Sequence, residues 1–391
     1  QGSRSRVLVT LRPRDKDPLT TLAGANHLRL TGLDDASALR LALEEAQRQG
    51  LDFAQLAIPP QPLVDSIKVS AIKQQAWLAW LDTEVAVALL DLAALAFRHP
   101  AFLLMAVAMV REHGWTGTRA RLVRLKGQQV EEALEAFIGQ MVDDLASRWP
   151  AALEALYAVL PFRGGAQSSL LRYVLLGEEV AADSDAAIDA DDALRPAVMA
   201  NLLACTNDRY DLDPPVRAYL ERRRPADPGI IATYELRHAE AFLPIVAAYD
   251  GLLGQGLMTY SAPLEWPNVS ASFDRMAARA PHDREAARVL LAHAMHWRNV
   301  IYNNHDPRRA TWLSAAVSAA EQVGSSAEQA NVLQAQGDVL AFQKQNTEAL
   351  ARYEAALGLF RAVGDRLGEA NVLKAQGDVL AFQKQNTEAL A

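Results

Sequence analysis

Residues 330–351 read ANVLQAQGDVLAFQKQNTEALA, and residues 370–391 read ANVLKAQGDVLAFQKQNTEALA. The segments lie 40 residues apart and differ at one position, Gln334 against Lys374. A fainter copy precedes them, where Ala316 and Gly324 match Ala356 and Gly364 at the same offset. Self-similarity at a fixed period of this size marks a solenoid, in which each unit buries its apolar face on the next. An accidental amphipathic helix pair does not explain near-identity at a fixed offset.

The spacing of small and large residues gives the type. Gly337, Ala349, Tyr353 and Ala356 fall on the Gly, Ala, aromatic and Ala positions of the tetratricopeptide pattern, which these repeats resemble. Gly337 lets two antiparallel helices approach, Ala349 and Ala356 keep the crossing tight, and Tyr353 fills the gap between repeats. A period of 40 makes each helix pair longer than the usual unit. At about 100° per residue, Asn331, Gln334, Asp338 and Phe342 share one stripe of the first helix, and Leu333, Gly337 and Leu340 face its partner. The next repeat presents Asn371, Lys374, Asp378 and Phe382. These polar stripes, each with an aromatic, form the expected concave face for an extended protein or peptide ligand. The bland alternative is a solvated face with Phe342 in the inter-repeat core.

Outward from the repeats the pattern stays helical. Arg6 to Thr10 reads as a buried strand with no partner strand in the next forty residues, so either it pairs with something absent or it is the last strand of a truncated domain. Asp34-Asp35-Ala36-Ser37 reads as a helix start. Helix punctuation falls at His99-Pro100, at Gly114 to Gly117, at Trp149-Pro150 and at Gly177. The acidic stretch Ala182 to Asp192 reads as a loop, and Asn207-Asp208 as a turn before a short strand. Pro225 to Gly229 reads as a linker, with helices resuming near Tyr234.

Several strings, in order, resemble NB-ARC-type (STAND) signal-transduction ATPases. They are Gly2-Ser3-Arg4-Ser5-Arg6-Val7-Leu8-Val9-Thr10-Leu11-Arg12, His99 to Leu104, Leu156 to Gly165, Arg209 to Tyr219 and Leu264-Glu265-Trp266-Pro267-Asn268-Val269. The resemblance implies a mainly α chain divided as follows: the C-terminal edge of an α/β NTPase domain over 1–45, a helical lobe over 46–150, a winged-helix domain over 151–224, a helical linker region over 225–289, and an α-solenoid of tetratricopeptide-like repeats over 290–391. It implies that Arg12 reads the terminal phosphate of the nucleotide and that Pro100 packs against adenine or ribose. Position 213 is the family's ADP-holding histidine, and here it is Asp213, a carboxylate that repels phosphate. The family's phosphate loop and Mg²⁺-binding strand lie upstream of its sensor strand, and no GxxxxGK[ST] occurs in this sequence. ATP or ADP with Mg²⁺ is therefore expected only together with an upstream nucleotide-binding half, and the chain alone is not expected to be an enzyme. The expected function is the regulatory and sensor part of an ATP-switched protein. A passive scaffold with degenerate lobes and a transcription regulator are the alternatives.

Composition narrows the rest. The net charge is −8, against a duplex-binding role, and the basic knot Glu221-Arg222-Arg223-Arg224 reads as a solvated helix end. The apolar runs Val85 to Phe97 and Phe102 to Val110 fall short of the ~20 residues of a bilayer span, and the first is interrupted by Asp91. No signal peptide opens the chain, so a soluble, cytoplasmic protein is expected. The single cysteine, Cys205, lies in an apolar run and reads as a buried thiol. His293, His296 and His305 match no zinc spacing, the aspartates of 183–192 lack the glycine and glutamate of a calcium loop, and Glu131, Glu132 and Glu135 make a helix face. No catalytic or metal-binding residue is assigned. Ala389 stands where the second helix of its repeat begins, so the chain is read as stopping inside a repeat.

Overall fold

The computed structural model describes residues 32–51, 83–177, 185–223, 225, 227–255, 265–296, 300 and 306–382. The chain is mainly helical, with fifteen helices and three short strands among these residues. None of these helices is long and apolar enough to cross a membrane. The strand expected over Arg6 to Thr10 lies outside the described residues.

Helix α1 (Asp35–Arg48) starts where the sequence signals it, with Asp34 accepting the Ser37 amide at 2.8 Å. It packs against α2 (Thr83–Leu95) and α3 (Pro100–Val123). Ala-rich faces let these helices approach closely: Ala38, Ala42, Ala46 and Ala106 are completely buried. The division expected at residue 45 falls within α1. Asp91, which interrupts the apolar run of α2, is buried and accepts a hydrogen bond from Arg119 of α3 at 2.8 Å. Gly114, with φ 67° and ψ 174°, leaves the helical conformation in a backbone shape that glycine tolerates, so α3 is two helical segments joined at a kink where the sequence places its punctuation.

Helix α4 (Val130–Arg148) leads through Trp149 into α5 (Pro150–Val159). Then come β1 (Ala166–Gln167), α6 (Ser168–Leu176), α7 (Asp185–Met199), β2 (Ala204–Thr206), β3 (Arg209–Asp211) and α8 (Pro214–Arg223). The strands form an antiparallel sheet in the order β1-β3-β2, with Cys205 opposite Tyr210 and Ala166 opposite Tyr210 on the other side. Two sequence readings are corrected here. Residues from Asp185 onward are helical, because alanines favour helix and carboxylates suit its N-terminal turn. Cys205 is exposed, because β2 is an edge strand with its three residues turned to solvent.

Helix α9 (Pro228–Gly254) begins inside the expected linker. Asp227 caps it by accepting the Gly229 amide at 2.8 Å, and Pro228 is pre-shaped for the first turn. Helices α10 (Trp266–Arg279), α11 (Arg284–Met295), α12 (Arg309–Val323), α13 (Ser326–Phe342), α14 (Asn346–Val363) and α15 (Arg366–Phe382) follow, each packed on the one before. The division expected at 289–290 falls within α11. One continuous core runs from α1 to α13, and a second gathers Leu333, Ala349, Tyr353, Ala356 and Phe360 among α13, α14 and α15.

A polar joint ties the small sheet to α10. Asn268, fully buried, accepts the amides of Arg163 and Gly164 at 2.7 and 3.1 Å and donates to the Gly165 carbonyl at 3.0 Å. Arg209 of β3 donates to the carbonyls of Gly164 and Gly165 and pairs with Glu265 at 2.6 Å. Gly165 has φ 74°, and a Cβ on Gly164 would meet Pro267 at 3.3 Å. The segments 163–165, 209–211 and 265–268, far apart in sequence, are thus one structural unit.

Candidate functional site

Helix α13 is set by a capping box: Ser325 and Glu328 satisfy each other's backbone amides, at 3.3 and 2.8 Å. Its glycine decides how α14 sits. A Cβ on Gly337 would lie 2.5 Å from the Tyr353 ring, so only a glycine admits this crossing. Tyr353 therefore fills the space inside one helix pair, where the sequence reading put it between repeats. Leu333 and Gly337 are buried and Leu340 is half-buried toward α14, as the 100° spacing requires. The Tyr353 hydroxyl emerges at the far side of α13 and donates to Asp338 at 2.8 Å.

Between α13 and α15 lies a groove of about 590 Å³. Its walls bring together Asp338, Phe342, Asn371, Lys374, Asp378 and Phe382, all residues of the expected concave stripes. Its floor carries Tyr353, with Asn346 at one end. Periodicity along the first helices does not reveal these two, because they come from α14. The sequence signal for Tyr353 is its pairing with Gly337. The aromatics stand at the rim: Phe342 is 46% exposed and Phe382 70%. The guanidinium of Arg309 lies 5.0 Å over the Phe342 ring.

Two stripe residues do not join the groove. Asn331 is exposed near the start of α13 and donates to the Ala327 carbonyl of its own helix at 2.9 Å. Gln334, expected on the exposed stripe, is buried at 3% exposure. Helices α11, α12 and α14 crowd around α13, whereas α15 packs on α14 and α13 among the described residues. Lys374, at the same repeat position, is exposed. The single difference between the two segments thus separates a buried site that accepts a neutral amide from an open one where an ammonium keeps its water.

The other expected residues lie elsewhere. Arg12 is outside the described residues. Pro100 is the first residue of α3, and the His99 ring beside it accepts the Phe102 amide at 3.4 Å. Asp213, half-buried just before α8, is close enough to feel His99. Burial holds the Asp213 carboxyl above the usual carboxylate range, Asp211 adds to the effect, and His99 pulls the other way.

His293, considered for metal binding, is completely buried, and one ring nitrogen lies 2.8 Å from the Ala239 carbonyl. Burial first, with His296 adding, lowers its pKa to about 4. His305 is outside the described residues, and those residues hold no group of three side chains that could bind a metal ion. The chain matches no family model, no curated protein and no solved structure.

Proposed function

We propose that this chain is the regulatory and sensor part of an ATP-switched signalling protein, and that its helical repeats hold an extended segment of a protein partner. The observation that carries the reading is the groove between α13 and α15. It gathers polar side chains and two rim aromatics from repeat-related positions, with Tyr353 and Ala375 forming part of its lining. An extended peptide offers backbone groups and side chains at regular intervals, which suits a surface of repeating amides, carboxylates and rings. In this reading the small sheet with its surrounding helices is the winged-helix domain, and ATP or ADP with Mg²⁺ binds only with the upstream half.

The test of the groove is an array of short random peptides probed with the chain. The wild type should retain a defined subset, and Asn371→Ala, Lys374→Ala and Asp378→Ala combined should release it while the helical circular dichroism is unchanged. Equal retention by the triple variant would refute the groove as the binding site.

A passive scaffold is the second reading, and Asp213 is the observation that favours it. A half-buried carboxylate occupies the position expected to hold ADP phosphate. If the switch operates, Asp213→His in the protein with its upstream half should tighten ADP binding. Unchanged affinity favours the scaffold.

A further inference from the structure

We infer that the groove recognises an arginine side chain of its peptide partner, stacked on Phe382 with its guanidinium against Asp378. The inference rests on the groove being the peptide site, and adds the chemistry of the residue it selects.

The chain contains its own example of the contact. Arg309, at the start of α12, is 6% exposed and lays its guanidinium 5.0 Å over Phe342 at the end of α13. Forty residues on, Phe382 ends α15 as Phe342 ends α13, and Ala349 stands in α14 where Arg309 stands in α12. Alanine has no arm to reach across. Phe382 is correspondingly 70% exposed against 46% for Phe342. Phe342 keeps 46% exposure with Arg309 over it and with α14 and α15 following it, so a ring at this repeat position stays accessible within the array.

Asp378 supplies the second half of the site. It lies four residues before Phe382 on the same helix face, with Cβ atoms about 5–6 Å apart. Its counterpart, Asp338, receives the Tyr353 hydroxyl. Asp378 is exposed in the groove wall and has no hydrogen-bond or ion-pair partner among the described residues. Lys374, one turn earlier, makes no ion pair with it, and the groove's two carboxylates outnumber this one ammonium.

A guanidinium combines a permanent charge, a flat face that stacks on an aromatic ring and a fork of edge donors that reach a carboxylate. An ammonium meets the charge but not the flat stacking, and a carboxylate is repelled by Asp378.

The experiment uses the full chain on an array of short random peptides whose central position is arginine, lysine, citrulline or glutamate. Citrulline keeps the planar shape and loses the charge. Arginine peptides should be retained about tenfold better than lysine peptides, and citrulline and glutamate peptides less still, since a stacked, charge-assisted contact is worth about a factor of ten. Phe382→Leu should abolish the arginine-over-lysine preference, and Phe342→Leu should leave it. A preference for lysine or glutamate, or an arginine preference that survives Phe382→Leu, overturns the inference. If retention in that case still depends on Asn371, Lys374 and Asp378, the peptide groove stands without it. Retention of no peptide set removes both.

Discussion

Arg209 and Glu265 meet at 2.6 Å, and the same guanidinium holds two backbone carbonyls of the 164–165 turn. Asn268 completes the joint from α10 by taking two amides of that turn. Asn268→Ala removes the acceptor of those two amides, while the Gly165 carbonyl keeps the Arg209 guanidinium as its donor. The expected cost is about 2–3 kcal/mol, read as a lower thermal midpoint, and Asn268→Asp should recover part of it because a carboxylate still accepts the amides. An unchanged midpoint in the alanine variant would mean that the joint carries no stability.

Asp91 and Arg119 form a pair of a different kind, since Asp91 is only 2% exposed and one of its oxygens has no partner. Removing one charge should be far worse than removing both. Arg119→Leu is expected to lose about 3–5 kcal/mol in urea unfolding, and Asp91→Leu with Arg119→Leu much less. Equal losses in the two variants would show that shape, and not the stranded charge, sets the cost.

Gly337→Ala should loosen the repeats, because the added methyl meets the Tyr353 ring at 2.5 Å. A cost of about 1–3 kcal/mol is expected, and Tyr353→Leu should absorb part of it by vacating the space. Denaturant unfolding of the single and double variants gives the coupling. Additive losses would place the strain elsewhere.

Acid should destabilise the protein through His293. Its folded pKa, lowered to about 4 by burial, lies below the ordinary value of 6.5. The unfolded chain therefore takes up a proton before the folded one does. The contribution is fully present above pH 6.5 and is lost as pH falls toward 4, on the order of 3 kcal/mol. The completely buried His238 is shifted in the same direction, mainly by burial. His293→Gln should flatten the decline in thermal midpoint between these pH values. An unaltered slope would exclude His293 as its source.

The repeats were legible because their physics is local. A fixed offset, a glycine and an aromatic are enough to place α13 against α14, and a helical stripe is enough to find most of the groove. Gln334 was not legible in the same way, since its burial depends on which helices crowd α13. The aspartates after residue 184 look like a loop until helix-end electrostatics is weighed against composition. Cys205 lies in an apolar run, yet an edge strand turns it outward. The joint around Asn268 is invisible in any one string, because its partners are about a hundred residues away and meet only in the folded chain.

Tyr353 has one side against Gly337 and its hydroxyl at the floor of the groove. Occupying the groove and holding the helix pair together are therefore linked by mass action. A peptide that binds only the closed pair at a hundred times its dissociation constant adds about 2.7 kcal/mol to the stability of the array. The melting temperature of the repeats then becomes a readout of occupancy, and a peptide that binds without raising it must sit somewhere other than over Tyr353.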